Sequence, residues 1–126
     1  MQSRKALRII FKIGNLFESP PLHVLLTTED SIIVARCLDF TVSSHGDDDN
    51  DALNSLAESL KEYILTSIED GNVNNLYDPA HNKYWRMFNE QEGRQKKQTL
   101  INSLLNSSLK KFEQKFQSLP AEVCYA

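Results

Sequence analysis

The chain has 126 residues, of which 40% are hydrophobic and 25% are charged, and this composition is typical of one globular domain and excludes a chain that is disordered throughout. The net charge of −3 is unevenly distributed along the chain. Residues 1–12 and residues 91–119 each have a net charge of +4, whereas residues 13–90 contain 4 bases and 14 acids and have a net charge of −10. The acidic middle segment repels phosphate and therefore argues against nucleic-acid binding by that segment.

The N-terminal segment and the cysteines indicate the compartment. Lys12 interrupts the first apolar run, no small-residue cleavage site follows it, and no apolar segment has the length of a membrane span. We therefore expect a cytoplasmic protein that does not interact with membranes. Cys37 and Cys124 are expected to be reduced packing residues, although their spacing leaves a disulfide open.

Up to four antiparallel strands are predicted before the first helix. Apolar residues alternate over residues 7–13, which is the period of a half-buried strand. The segment Ser19–Pro21 then interrupts the ladder. Leu22–Leu26 and Ile32–Leu38 are predicted to form a hairpin with a loop of about five residues. A short further strand is expected to end at Gly46.

The apolar period changes to 3.6 residues from Ala52 onward, and this predicts one main amphipathic helix packed on the sheet. Its apolar stripe consists of Leu53, Leu56, Ala57, Leu60, Ile64 and Ile68. Gly71 is suited to the left-handed conformation that ends a helix. The expected fold class is α+β, with an antiparallel sheet of three or four strands over residues 1–75 and a helical extension over residues 76–126.

The extension is predicted to contain two helices. Asp78 as N-cap and Pro79 at the first position indicate a short helix, which presents Tyr84, Trp85 and Phe88. A longer helix is expected from about residue 95 to residue 118, before Pro120. Its seam residues are spaced as in a packed helix pair and form either intramolecular core or a homodimer contact: Leu105, Leu109, Phe112, Phe116 and Leu119.

Four aspartates surround the start of the main helix. Asp48 is predicted to be the N-cap that accepts from the N–H of Asp51, whose own carboxylate reaches back toward the N-cap N–H. The remaining acids, Asp47 and Asp49, favour the helix dipole. The cluster lacks the ligand spacing, the central glycine and the closing glutamate of a calcium loop, so no metal site is predicted.

The order of these elements resembles the HicB antitoxin-like domain family. The residues that match the family pattern are Ala35–Asp39, Gly46, Asp47, Ala52, Leu53, Leu60, Tyr63 and Ile64, within a resemblance that covers about residues 23–65. The resemblance implies a non-catalytic binding module that neutralises a small, basic, RNA-cleaving toxin. It also implies that the segment Ile32–Leu38, expected as an edge strand, and the acidic helix start are contact surfaces.

Partner-binding residues follow from this reading and from the aromatic group. They are Asp39, Asp47, Asp48, Asp49 and Trp85, of which Trp85 has core packing as its alternative. The toxin-like protein and a second copy of the chain are the expected partners. DNA binding is doubtful, because aligning Gly93 with the turn glycine of a helix-turn-helix places polar Asn89 where a small buried residue is needed.

Two other functions stay open at this point. One is a degenerate RNase H-like nuclease, in which Asp39 and Asp47 lie near each other and hold metal ions. The other is a stand-alone structural domain. His45 beside the aspartates is the only acid–base candidate, and no histidine has the spacing of a zinc ligand. We therefore predict no catalytic residues and no cofactor.

Overall fold

The computed structural model describes residues 1–106 and 109–125, with the side chains of residues 109–112 outside that description. The strands are β1 Gln2–Ile9, β2 Lys12–Ile13, β3 Phe17–Glu18, β4 Leu22–Glu29, β5 Ile32–Cys37 and β6 Val42–Gly46. The helices are α1 Asp49–Glu69, the 3₁₀ turn Val73–Asn75, α2 Asn82–Leu105 and α3 Leu109–Ser118. The protein is α+β, as the sequence predicts. In the part of the chain that is described, no helix is both long enough and apolar enough to cross a membrane.

Four strands form an antiparallel sheet in the order β1-β4-β5-β6, while β2 and β3 form a separate two-stranded hairpin. The prediction that Ile32–Leu38 is an edge strand is wrong. β5 pairs with β4 on one side and with β6 on the other, so its backbone is not available for pairing with another chain. The edges are β1 and β6.

The β4–β5 turn is shorter than the sequence suggests. β4 continues to Glu29, and the connection consists of Asp30 and Ser31 with φ angles of 49° and 69°. Two consecutive left-handed residues are characteristic of a type I′ turn, whose twist matches that of the flanking strands. The predicted loop of about five residues is therefore wrong, and Thr27 to Glu29 belong to the ladder.

One face of the sheet packs against α1. Side chains of β5 alternate, so Ala35 and Cys37 point toward the helix and are fully buried. From α1 the core receives Ala52, Leu56, Leu60 and Ile64. Ile68, predicted in the same stripe, is 59% exposed. The buried residues Leu56, Leu60 and Ile64 are four residues apart, and each such step turns about 40° beyond one full helical turn. A further step of four would carry Ile68 away from the sheet, so the next buried residue is Ser67, three residues after Ile64.

The opposite face of the sheet packs against the first part of α2. Phe88 is fully buried there between Ala6, Leu25 and Leu38. The aromatic group of the predicted short helix therefore contributes to a second core. The sheet is covered on both faces, which explains why β4 contains the consecutive buried residues Val24–Thr27.

The start of α2 differs from the prediction of Asp78 as N-cap and Pro79 as first residue. The helix begins at Asn82, where the Nδ1 atom of His81 lies 3.1 Å from the backbone nitrogen of Lys83 and accepts its N–H. The N–H groups of Asp78 and Ala80 instead donate to the carbonyl oxygens of residues 39 and 38. This alternation is strand-like, and Pro79 fits it because its missing N–H falls at a position that needs no donor.

The boundaries of the two C-terminal helices differ from those predicted from the sequence. α2 runs through Gly93 without a break, and the predicted helix over residues 95–118 is instead the end of α2 followed by α3. The chain divides into two compact units, Met1–Gly93 and Arg94–Ala126. The predicted division after residue 75 stays a prediction, and Phe88 of the predicted extension is buried against the sheet of the first unit.

All five residues of the predicted seam belong to the second unit. Leu105, Phe116 and Leu119 are 63%, 65% and 66% exposed, respectively. The side chains of Leu109 and Phe112 lie outside the described residues. The dimer role of these positions stays a prediction.

Candidate functional site

The connection between β6 and α1 forms a tight corner that positions the aspartates. β6 ends at Gly46 and α1 begins at Asp49. A Cβ atom at Gly46 would lie 2.7 Å from the carbonyl carbon of Asp51 and even closer to the backbone nitrogen of Ala52. Only glycine therefore allows the strand to approach the first turn of the helix this closely.

The helix N-terminus is held by two side-chain hydrogen bonds. Asp48 is the N-cap, and its Oδ1 accepts from the backbone N–H of Asp51 at 2.7 Å. Asp51 Oδ2 accepts from the N–H of Asp47 at 2.9 Å, one residue before the N-cap N–H that the sequence predicts. Both carboxylates thus satisfy backbone donors, as in a capping box, and fix the corner.

Asp49 has a different role, because it is ion-paired with two cations of β1. The Nε atom of Arg4 lies 3.1 Å from its Oδ1, and the Nζ atom of Lys5 lies 2.9 Å from its Oδ2. Hydrogen bonding by Lys5, followed by the contribution of Arg4, lowers the pKa of Asp49. Successive residues of a regular strand point to opposite faces, but the ladder of β1 is irregular between Ser3 and Lys5, which lets both cations reach one carboxylate.

Two further carboxylates lie at the same end of the sheet without such compensation. Asp30 is in the β4–β5 turn, and Asp47 follows Gly46, which pairs with Ile33 near the start of β5. Both are exposed, and neither forms an ion pair among the side chains that the structure describes. Glu29, by contrast, is paired with Arg36 at 3.1 Å. Among the described residues Asp48 and Asp51 form no ion pair either, but their carboxylates accept the capping hydrogen bonds, so Asp30 and Asp47 are the two that have neither kind of partner.

The neighbouring edge of the sheet is open for pairing. Among the described strands, β6 has β5 as its single neighbour, so half of its backbone N–H and C=O groups face outward. It contains no lysine, proline or bulge, which are the usual protections of an edge. The other edge, β1, has a bulge and three cations. An open groove of about 430 Å³ lies beside β6, bordered by Arg36 and His45.

A second polar cluster lies at the other end of the sheet. His23 Nδ1 is 3.2 Å from Asp39 Oδ2, and the backbone N–H of His23 donates to Asp39 Oδ1 at 2.8 Å. Arg8 contacts His23 Nε2 at 3.3 Å and binds both carboxylate oxygens of Glu92 at 2.8 and 3.0 Å. This chain links β1, β4, the β5–β6 turn and α2. Both ring nitrogens of His23 have partners, so the cluster joins these elements to one another.

The expectation that Asp39 and Asp47 lie near each other is wrong. Cys37 pairs with Val42 and Ile33 with Gly46, so the two aspartates follow opposite ends of the β5–β6 ladder, at least about 13 Å apart. Asp39 is also only 9% exposed. Within the described residues, no group of three or more His, Cys, Asp or Glu side chains is arranged to hold a metal ion.

Trp85 is half-buried over the sheet. The centroid of its ring lies 5.0 Å from that of His23 in an edge-on geometry, and the ring centroid of Phe88 lies 5.3 Å from the same histidine ring. Trp85 therefore packs in the second core, and its predicted contact with a partner stays a prediction.

The comparisons with known proteins give no relative. No protein-family model matches the chain, and neither curated proteins nor solved structures show a significant match. The resemblance to HicB-like domains thus rests on the sequence pattern over residues 23–65.

Proposed function

We propose that this chain is a non-catalytic protein-binding module of HicB-antitoxin type that neutralises a small, basic, RNA-cleaving toxin. We further propose that it works in the cytoplasm and as a homo-oligomer. The observation that supports the binding role best is an unprotected strand edge, β6, beside two carboxylates, those of Asp30 and Asp47, that form neither an ion pair nor a capping hydrogen bond among the described residues.

Each half of this surface supplies a different part of recognition. The outward N–H and C=O groups of β6 can pair with an extended segment of the partner, which is the common mode of strand addition. The carboxylates favour a basic partner and repel RNA, so they raise the rate of encounter and select against phosphate. Asp49, one of the predicted contact residues, contributes less net charge because Arg4 and Lys5 compensate it.

The proposal predicts a binding partner encoded close to this gene, with a basic sequence of toxin size. We expect this protein to arrest growth when it is produced alone and to lose that effect when the present chain is produced with it. The two purified proteins should form a complex whose affinity falls with added salt, because exposed charges contribute to encounter.

The site is tested with charge reversals. Asp30→Lys combined with Asp47→Lys should weaken the complex by at least about tenfold, since like charges then face each other. A matched control, Asp70→Lys combined with Glu90→Lys, changes the net charge equally at two exposed positions, one at the far end of α1 and one on α2, and should have little effect. Equal weakening by both pairs would show that only net charge matters, and the absence of any basic binding partner would refute the function itself.

A further inference from the structure

An apolar groove lies on the first unit, away from the surface proposed above. It encloses about 320 Å³ between the β2–β3 hairpin and the second half of α1. Its lining is apolar except for Lys61 and consists of Ile13, Leu16, Phe17, Ile64, Leu65 and Ile68. Leu16, Leu65 and Ile68 are 93%, 50% and 59% exposed.

The groove is formed by two local features. Gly14, with φ at 52°, turns the β2–β3 hairpin so that Leu16 projects from its tip. On α1, Leu65 and Ile68 lie beside the stripe that packs on the sheet, next to buried Ile64. Clustered apolar side chains of this kind, unlike single exposed ones, indicate an interaction surface.

One side of the groove has an acidic border. Glu58, Glu62 and Glu69 are exposed on α1, and their helical positions place them in a row next to Leu65. None of them forms an ion pair among the described side chains. The occupant that fits is an amphipathic helix with large apolar residues and lysines.

The second unit of the same chain supplies such a helix. Residues 94–126 contain six bases and two acids, whereas residues 1–93 contain eight bases and fifteen acids, so the two units have opposite net charges of +4 and −7. α3 is strongly amphipathic, with Lys115 beside Phe116, and Leu119 directly after the helix. Phe116 and Leu119 are about two-thirds exposed.

We propose that the groove receives α3 of a second copy, so that two chains exchange their C-terminal helices reciprocally. The inference rests on the self-association proposed above and is independent of the identity of the basic partner. The opposite net charges of the unit that forms the groove and the unit that contains α3 favour this contact between two copies. A symmetric exchange fills both grooves and buries both helices.

The first test measures mass in solution by light scattering over a range of concentrations. The intact chain should have twice the monomer mass of 14.4 kDa. Leu65→Asp in the groove and Phe116→Asp in α3 should each shift the mass to that of a monomer. The control Val73→Asp changes an apolar residue that is also 53% exposed but lies outside the groove, and it should stay dimeric.

Mixing the two monomeric variants separates exchange from other arrangements. The Leu65→Asp chain retains an intact α3, and the Phe116→Asp chain retains an intact groove, so the mixture should form a heterodimer through one complete contact. Lack of association in the mixture would overturn the exchange. A wild-type monomer at all concentrations would refute self-association as such, and a dimer that survives both substitutions would show that it forms elsewhere.

The circular dichroism spectrum of each variant should match that of the wild type. A match would show that the variant loses the dimer without unfolding. Salt provides a further check, since Lys115→Glu should weaken the dimer at low ionic strength and have a smaller effect at high ionic strength. Equal weakening at all salt concentrations would contradict the contribution of the acidic border.

Discussion

The close approach of Gly46 to α1 gives a stability prediction whose size follows from the structure. In Gly46→Ala the new Cβ would lie 2.7 Å from the carbonyl carbon of Asp51, whereas ordinary contact begins at 3.4 Å. The strand or the first turn of the helix must therefore move by at least about 0.7 Å, and by more to clear the backbone nitrogen of Ala52, which is closer still. Because the nearest atoms include rigid backbone, a side-chain rotation cannot relieve the overlap.

Overpacking of this kind costs about 1–3 kcal/mol, and displacement of the capping bonds of Asp48 and Asp51 adds roughly 1 kcal/mol. We therefore expect Gly46→Ala to lower the free energy of unfolding by about 2–4 kcal/mol. The measurement is urea unfolding followed by far-UV circular dichroism. The dependence of the free energy of unfolding on urea concentration should be the same for both proteins, which checks that unfolding stays two-state.

Gly93→Ala is the matched control, because it is the same substitution at a helical position where a Cβ meets nothing within 4 Å. It should raise helix stability by about 0.5–1 kcal/mol, since alanine has the higher helix propensity. The two substitutions thus have opposite expected signs. A Gly46→Ala protein within about 0.5 kcal/mol of the wild type, or two variants with equal losses, would refute the reasoning.

Three further predictions concern the core, an ion pair and the thiols. Phe88→Ala should cost about 3–5 kcal/mol in urea unfolding, because it leaves a cavity in a fully buried site; a loss below 1 kcal/mol would contradict packing of α2 on the sheet. Asp49→Asn should cost about 0.5–1 kcal/mol at pH 7. Because the pKa of Asp49 is lowered from 3.8, this difference should persist above pH 4 and vanish as the pH falls through the folded-state pKa; a difference independent of pH would contradict the ion pair. Burial raises the pKa of Cys37 to about 11, so a thiol reagent at pH 8 should modify exposed Cys124 rapidly and Cys37 only on unfolding; rapid modification of both would contradict burial.

Features with a local physical signal could be predicted from the sequence. The main helix, its N-cap at Asp48 and its glycine end at Gly71 depend on residues within one helical turn of each other. Gly71 has φ at 64°, and the N–H of Asn72 donates to the carbonyl oxygen of Ser67 at 2.8 Å, as in a Schellman motif. The α+β class followed from the change of period between residue 46 and residue 52.

Features that depend on strand order could not be predicted in the same way. The β4–β5 turn is formed by Asp30 and Ser31, and because this pair lacks the glycine that normally indicates a two-residue hairpin, the sequence predicts a longer loop than the structure has. Whether β5 is central or an edge depends on the pairing of β6, which the composition of β5 does not encode. Pro79 carries a strong helix-start signal that the tertiary pairing of residues 78–80 with residues 38–39 overrides.

The ion pairs of the site are also non-local. Arg4 and Asp49 are 45 positions apart, and Arg8 and Glu92 are 84 apart. The excess of bases in residues 1–12 and of acids in residues 13–90 indicates that pairs such as Arg4–Asp49 can form, but Glu92 lies in a segment of net positive charge and has no such signal. The excess does not identify the partners, because the bulge in β1 decides which side chains share a face.

The corner at Gly46 has a consequence for any binding that takes place beside it. Asp47 and Asp48 occupy a two-residue connection whose ends are held by the sheet and by the helix, and whose backbone is fixed by the capping bonds. A loop that must order on association loses conformational entropy, whereas this segment is preorganised. A ligand meeting it would find the backbone and the carboxylate of Asp48 already in place, so association there should be fast and should leave the shape of the corner almost unchanged.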